Sequence, residues 1–176
     1  MTSNGSLTVL GIDPGTAILG FGVVAVGHGT PASSVRLVEC GVVRTRADQP
    51  LATRLAVIFD GVASLVERHR PDAVAVEGLF HGRNARSALV LGHARGVVLL
   101  AVARAGLPIA EISPAEVKRA VTGTGAATKP QVGAMVMRLL RLASAPAPAD
   151  AADGVAIALT HLLRLNPRAR MAGPQR

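Results

Sequence analysis

The feature that most constrains the fold of this chain is an apolar run that ends abruptly at an aspartate. In LTVLGIDPGT, at residues 7–16, strand-forming residues lead to Asp13, and a Pro-Gly turn follows. A second strand-like run, LGFGVVAV, begins at residue 19, and a third, VRLVECGVVRT, covers 35–45. Short connections between such runs are typical of antiparallel strands. We therefore predict a three-stranded antiparallel meander whose first strand brings a carboxylate to the edge of the sheet.

After this meander, segments whose apolar residues have helical spacing alternate with short apolar runs that indicate buried strands. A helix is indicated after Pro50 by apolar residues at helical spacing, namely Leu51, Leu55, Ile58, Val62 and Leu65. DAVAVEG, at 72–78, is a continuous apolar run, as expected for a central strand covered on both faces. The elements predicted after it are a helix over about 84–105, a strand at 107–112, a helix capped by Ser113, a loop over 123–132, a helix over QVGAMVMRLLRL and a final helix from Asp150.

Three antiparallel strands followed by alternating helices and parallel strands predict an α/β chain with a ribonuclease H-like fold. In this arrangement a five-stranded mixed sheet, with three antiparallel strands and then two parallel ones, is flanked by helices. The chain has 176 residues, which is enough for one domain with its own core. We expect this domain to span 7–165, between a flexible N-terminus at 1–6 and a basic, disordered tail at 166–176.

The charge of the chain favours a polyanionic partner. The formal net charge is +8 at pH 7, from 19 basic and 11 acidic residues. A strongly basic balance is typical of proteins that bind nucleic acid. Only Lys118 and Lys129 are lysines, and the other basic residues are arginines. Because the chain otherwise prefers arginine, these two lysines are candidates for a specific role, although each could also be an ordinary surface charge.

Cysteine content and hydropathy argue against several other classes of protein. The single cysteine, Cys40, cannot form an internal disulfide or build a thiolate metal site alone. The N-terminal MTSNGS has no signal-peptide pattern. The longest apolar region, SALVLGHARGVVLLAVARAG, is interrupted by His93, Arg95 and Arg104, so it indicates a packed helix and not a membrane span. We expect a cytoplasmic protein without a membrane partner.

The few acidic residues fall where a site can form. Asp13 ends the first predicted strand and Glu77 ends the fourth, and these two strands are neighbours in a ribonuclease H-like sheet. Ligand sites of α/β sheets form at the carboxyl ends of their strands. Asp150 and Asp153 are three residues apart at the start of the last helix, so both can face the same way.

Each of these acids also has an ordinary structural explanation. Asp13 could be a turn residue, Glu77 a solvent-facing strand end, and Asp150 and Asp153 favourable charges at a helix N-terminus. Four converging carboxylates, however, repel one another strongly unless something neutralises them. Oxygen ligands without His or Cys favour magnesium or manganese. A hard-cation cluster in a basic protein indicates phosphodiester hydrolysis, in which two cations clamp the scissile phosphate.

With these residues in view, the chain resembles the RuvC family of Holliday-junction resolvases, the crossover junction endodeoxyribonucleases. The resemblance covers residues 7–163 and rests on five segments in the same order with suitable spacing: GIDPGT, AVEGLF, NARSALVLGHARGV, VKRAVTGTGAATKPQV and DAADGVAIALTH. His81 and the stretch GHGTPASS after the second strand depart from the pattern of other members, which leaves the preferred cleavage sequence open.

The resemblance implies a metal-dependent endonuclease of recombination and repair. It would cut two strands of like polarity in a four-way DNA junction and leave 5′-phosphate and 3′-hydroxyl ends. Two Mg²⁺ ions per site are implied, with Mn²⁺ able to substitute. The family's catalytic and metal-binding acids fall on Asp13, Glu77, Asp150 and Asp153.

The resemblance also implies how DNA and protein partners are bound. The family's junction-intruding phenylalanine falls on Phe80, and its two lysines near the scissile backbone fall on Lys118 and Lys129. The family is a homodimer, and the helix over about 84–105 would supply much of the contact. A branch-migration motor of the RuvA-RuvB type is the expected further partner. Residues at the start of the same helix have groups suited to phosphate, although ordinary solvation explains them equally well: Arg83, Asn84 and Arg86.

Three other functions share part of this pattern. An actin-like ATPase also carries a strand-Asp-x-Gly turn, but it needs two related domains around the nucleotide, and this chain has no second such turn. A non-catalytic junction-binding module would lack one of the acids, and none is missing here. A general ribonuclease H-like nuclease on flaps or RNA–DNA hybrids stays open, because the acid cluster is shared across that fold.

Overall fold

The centre of the structure, a computed structural model that describes residues 6–27, 35–78 and 85–166, is a five-stranded mixed sheet. The strands lie in the order β3-β2-β1-β4-β5. β1 is antiparallel to β2, and β2 to β3, whereas β4 is parallel to both β1 and β5. This confirms the predicted fold class. The strand bounds are Ser6–Asp13 for β1, Ile18–Gly27 for β2, Arg36–Arg44 for β3, Ala73–Glu77 for β4 and Ile109–Ile112 for β5.

Five helices cover the two faces of this sheet. Their bounds are Leu51–His69 for α1, Ala85–Arg104 for α2, Pro114–Thr122 for α3, Lys129–Leu140 for α4 and Ala149–Leu165 for α5. Buried residues of α1 and α2 pack with the apolar residues on one face of the sheet. On the other face α5 packs directly on the strands, with α3 and α4 beside it.

Glycines let α5 approach β1 and β2 unusually closely. A Cβ atom at Gly22 would lie 2.5 Å from the Cα atom of Val155, and one at Gly154 would lie 2.5 Å from the Cα atom of Phe21. A Cβ atom at Gly20 would collide with the carbonyl oxygen of Asp150. The backbones therefore touch, and the first turns of α5 are fixed against the end of β1 that carries Asp13.

The start of α4 differs from the prediction. The sequence analysis placed 123–132 in a loop, but the helix already begins at Lys129. The backbone N–H of Thr128 donates to Oε1 of Gln131 at 2.8 Å, and Pro130 occupies the first turn. Thr-x-x-Gln is a capping-box pattern and proline is favoured in a first helical turn, so the segment read as a loop is in fact a helix start. Lys129 is consequently held on a helix.

The long apolar helix α2 is only partly covered. Its inner side places Ala94, Val98, Ala101 and Val102 in the core. By length and composition alone, its window Ser87–Arg104 could cross a membrane, with a mean hydropathy of 1.4, and 22% of that window is buried. One such helix is weak evidence for a membrane protein, since α2 packs along one side of the sheet. Its other side lies open.

Candidate active site

Carboxylates from three elements meet at one edge of the sheet. Asp13 is the last residue of β1 and Glu77 the last of β4, and the parallel pairing of Ile12 with Val76 places these strand ends side by side. Asp153 comes from the second turn of α5. A cleft of about 430 Å³ opens between them, lined by Asp13, Glu77, Pro114, Val117, Lys118, Lys129, Val132, Asp153, Ala156 and Ile157.

The buried carboxyl of Asp13 is the electrostatic centre of this cleft. Burial is the largest of several effects that together raise the pKa of Asp13 to about 8. The others are the negative charge of Glu77, a hydrogen bond with the Glu77 carboxyl group, and the smaller effects of the Asp153 and Asp150 charges. A hydrogen bond between two carboxyl groups requires a proton between them, so the pair favours a protonated form near neutral pH. Positive charge brought to this point would reverse that preference.

Lys129 supplies one positive charge beside the acids. Its Nζ atom lies 2.6 Å from Oδ2 of Asp153. This hydrogen bond raises the pKa of Lys129, and the charges of Asp153, Asp13 and Asp150 raise it further against an opposing effect of desolvation. The lysine is therefore held in its charged form at the mouth of the cleft.

Lys118 faces the same cleft from α3 without pairing with an acid among the residues described. Its helix is held at the N-terminus, where the N–H of Ser113 donates to Oε2 of Glu116 at 2.8 Å and the N–H of Glu116 donates to Oγ of Ser113 at 3.3 Å. Nη2 of Arg164, near the end of α5, lies 2.6 Å from Oε1 of Glu116. These contacts tie the helix of Lys118 to the helix of Asp153.

Asp150 stands slightly apart from the other three acids. It is the second residue of α5 and influences the pKa of Asp13, but it does not line the cleft. The four acids are thus coupled through Asp13, and three of them share one cavity.

The donor set fits hard divalent cations better than zinc. All of the acidic groups at this edge offer carboxylate oxygen, and the cleft contains no thiolate or imidazole among its described lining residues. Within 6–27, 35–78 and 85–166, no three Asp, Glu, His or Cys side chains already stand in the arrangement of a metal cage. Asp153 instead pairs with Lys129, and the carboxyl groups of Asp13 and Glu77 interact with each other. A cation would replace the ammonium and the shared proton as the neutralising charge.

Several predicted DNA contacts fall outside the described residues. Phe80, His81, Arg83 and Asn84 belong to this group, and the structure describes the backbone of Arg86 in the first turn of α2 but not its side chain. The first five residues and all of the predicted tail, 166–176, except Asn166 also lie outside.

The sequence analysis missed the apolar wall of the cleft. Ala156 and Ile157 follow Asp153 by three and four residues on α5, and Val117 precedes Lys118 on α3. Helical periodicity from each charged residue could have found the α5 pair. An apolar wall excludes water and strengthens electrostatic interactions in the cleft.

Comparisons with known proteins agree with this site. Residues 9–161 match the family Crossover junction endodeoxyribonuclease RuvC. A protein of that name from Parafrankia sp. (strain EAN1pec) is 52% identical over 94% of this chain and 91% of its own length. Another from Halorhodospira halophila is 52% identical over 87% of this chain and 88% of its own. The solved structure "T. thermophilus RuvC in complex with Holliday junction substrate" superposes with a TM-score of 0.86 at 41% identity, over 93% of this chain and 97% of the other.

Proposed function

Because the chain belongs to the RuvC family of crossover junction endodeoxyribonucleases, we propose that its acid cleft is where four-way DNA junctions are cut. Family membership makes the chain an endodeoxyribonuclease of DNA recombination and repair. We assign the cut to this cleft because Asp13, Glu77 and Asp153 line one cavity together with Lys118 and Lys129. A cytoplasmic location accompanies this proposal, since the substrate is chromosomal DNA.

Nucleases of this family depend on a divalent metal, and we infer that the four acids hold two Mg²⁺ ions, for which Mn²⁺ can substitute. When bound, such ions lower the pKa of water and neutralise negative charge on the scissile phosphate and the leaving oxygen. Asp13 is the best candidate for a ligand shared by both ions, because the other three acids all act on its pKa. Glu77, Asp150 and Asp153 complete the set.

Lys118 and Lys129 are suited to holding the scissile strand. Both line the cleft beside the acids, and negative charge on phosphate oxygens grows during hydrolysis. In the cut, an oxygen of water bonds to phosphorus and the bond from phosphorus to the 3′ oxygen breaks. Of the two protons that the water loses, one ends on the 3′ oxygen and the other is released to solvent, which leaves 5′-phosphate and 3′-hydroxyl ends. Lys129 contacts Asp153 in the protein without DNA, which supports a role in which its ammonium group leaves Asp153 and binds phosphate when DNA enters the cleft.

The open side of α2 supports a homodimer. Leu89 and Leu100 are 66% and 53% exposed. An apolar groove of about 710 Å³ runs between them, lined by Leu55, Ala85, Ala88, Leu89, Gly92, His93, Gly96, Val97 and Leu100. Cβ atoms added at Gly92 or Gly96 would meet nothing within 4 Å, so a second helix could approach closely there. A two-fold dimer would present two identical clefts to two strands of like polarity.

Phe80 stays a proposed contact of the junction near its exchange point, and a branch-migration motor of the RuvA-RuvB type is the proposed partner that would deliver the junction. Both proposals rest on the family's resemblance in sequence. Arg83, Asn84 and Arg86 stay proposed phosphate contacts, because guanidinium and amide groups at a helix start are suited to phosphate.

The test is cleavage of a synthetic four-way junction beside a matched duplex and a matched flap, each with Mg²⁺ and with chelator. The proposed function predicts paired, symmetrical nicks in the junction alone, and only with metal. Equal cutting of the flap or of an RNA–DNA hybrid would favour a general ribonuclease H-like nuclease. Cutting that survives the chelator would refute the metal role of the acids.

A further inference from the structure

A chain of hydrogen bonds supports the turn that follows Asp13. The backbone N–H of Thr45 donates to the carbonyl oxygen of Ala17 at 3.0 Å, and the Thr45 hydroxyl donates to the carbonyl oxygen of Thr16. Nε of Arg54, on α1, donates to the same Thr45 hydroxyl at 3.0 Å. The guanidinium of Arg54 is therefore held in one orientation beside the turn.

Within the described residues, the terminal N–H groups of the Arg54 guanidinium have no partner in the protein. Among residues 6–27, 35–78 and 85–166, no carboxylate pairs with Arg54. Its neighbour Arg46 differs, because Asp48 accepts from both Nε and Nη2 of Arg46 at 3.1 and 2.6 Å and cancels its charge. Arg54 is thus an oriented cation whose terminal N–H groups are free to bind an anion. A guanidinium fork of this kind suits phosphate.

A hollow lies against the same turn. It encloses about 310 Å³ and is lined by Thr16, Ser87, Val90 and Leu91, two of which carry hydroxyl groups. Arg54 is not one of these lining residues; the Thr45 hydroxyl connects its guanidinium to the carbonyl oxygen of Thr16. Ser87 comes from the first turn of α2, on the α1–α2 side of the sheet, whereas the acid cleft lies on the side of α3, α4 and α5. Hydroxyl and guanidinium groups are the usual contacts to DNA phosphates.

We propose that Arg54, Thr16 and Ser87 form a second phosphate subsite, across the Asp13 turn from the lysines, that holds the backbone of the DNA away from the scissile bond. This subsite rests on the proposed function, because it needs a DNA strand that crosses the acid cleft. It reads no base, so it contributes equally to all sequences. With Lys118 and Lys129 on one side and Arg54 on the other, the strand is held on both sides of the cut.

The test is Arg54→Gln, with junction binding measured in chelator across a range of salt concentrations. Loss of one phosphate contact weakens binding uniformly across sequences and makes the slope of log K against log salt shallower by about 1. The affinity falls roughly tenfold, as expected for one hydrogen-bonded charge.

Arg36→Gln is the matched control. Arg36 is exposed at the start of β3, at the end of that strand farthest from Thr45, and forms no ion pair within the described part of the chain. The substitution Arg36→Gln removes the same charge from the molecule without changing any residue that lines the hollow. Equal slopes and affinities for the two variants would overturn the subsite. A wild-type slope with slower cutting at saturating junction would also overturn it, because Arg54 would then act only through Thr45 on the turn.

Ser87→Glu keeps the test decisive if Arg54→Gln does not fold. Ser87 is exposed, and an acid is favourable in the first turn of a helix, so this variant preserves the fold and the Arg54–Thr45 bond. It repels phosphate from the hollow, and we expect weaker junction binding; wild-type binding would contradict the subsite. The wild-type protein separates the two proposals. If it fails to cut junctions, the proposed function is wrong, whereas if it cuts them and the variants bind normally, only the subsite is wrong.

Discussion

Two helices of the core, α5 and α2, meet the same sheet in different ways. α5 buries ten of its residues and touches β1 and β2 backbone to backbone through glycines. α2 also contains glycines, but those at 92 and 96 face open space, and its outer leucines are exposed. On α5, glycine therefore makes room for close packing within the chain. On α2, glycine lies at a surface that nothing in the described chain covers. The closely packed helix α5 carries two of the four acids, Asp150 and Asp153, and the uncovered side of α2 is the candidate dimer surface.

Adding one methyl group to each helix is the strongest way to test this difference. In Gly154→Ala the new Cβ would lie 2.5 Å from the Cα atom of Phe21, and backbone cannot move aside as a side chain can. We expect destabilisation of about 3 kcal/mol or more, and loss of cutting with it. Gly96→Ala, in open space, should stabilise the monomer by up to about 1 kcal/mol, because alanine is the better helix former. Urea unfolding of both variants measures the contrast, and equal effects would contradict it.

The next largest effect concerns Asp13, the acid at the end of β1, against which α5 packs. Asp13→Asn keeps the shape of the side chain and removes the charge that the other acids surround, so cutting should be abolished. Junction binding should persist, since phosphate contacts supply most of the affinity. Gel-shift binding and nicking assays on one junction measure the two properties. Retained cutting would refute the central role of Asp13.

The sequence was enough to predict the position of Asp13 but not the close glycine contacts of α5. The apolar runs were enough to predict every strand, with Asp13 and Glu77 at strand ends, because each run ends at a charge or a turn residue. That β1 and β4 are neighbours followed from the ribonuclease H-like order of the elements and not from the runs themselves. Gly22 and Gly154 gave no signal, since a glycine shows its close contact only once the helix and strand are packed. The contact of Lys129 with Asp153 spans 24 residues and depends on how α4 packs beside α5. Neither the start of α4 nor the position of Asp150 outside the cleft followed from periodicity.

The open face of α2 can be tested by filling it. In Gly96→Leu the side chain enters open space in the monomer, so the fold should be retained. In a dimer that uses this groove, the same side chain would separate the two helices. We expect a dissociation constant raised by one to two orders of magnitude, by about 1.4 kcal/mol for each factor of ten, and loss of paired nicking.

Gly133→Leu on α4 is the matched control for the dimer. A Cβ atom at Gly133 also meets nothing within 4 Å, and α4 lies on the other face of the sheet. Sedimentation analysis should find this variant dimeric. Dimerisation of Gly96→Leu with wild-type affinity would move the dimer surface away from α2.

A smaller effect follows from the burial of Asp13 beneath α5. The pKa of its carboxyl rises from an ordinary 3.8 to about 8 in the folded protein, so the folded state holds this proton more tightly than the unfolded state. In chelator, the free energy of unfolding should therefore decrease as the pH rises from about 4 to about 8. Urea unfolding at pH 5 and pH 8 should show a smaller decrease for Asp13→Asn. Asp48→Asn is the control, because the Arg46 hydrogen bond lowers the pKa of that exposed carboxyl and keeps it ionised across this range.

The smallest effect belongs to α3, which connects the cleft to the far end of α5. Ser113→Ala removes the hydroxyl that accepts from the N–H of Glu116, and loss of such a cap costs about 1 kcal/mol. The ion pair of Glu116 with Arg164 does not depend on that hydroxyl, so α3 stays attached to α5 and cutting should change little. Thermal unfolding measures the loss of stability, and the nicking assay measures cutting. If Ser113→Ala greatly reduces cutting but only slightly reduces stability, the placement of Lys118 depends on this cap. The packing of α5 would then not be enough by itself to fix the geometry of the cleft.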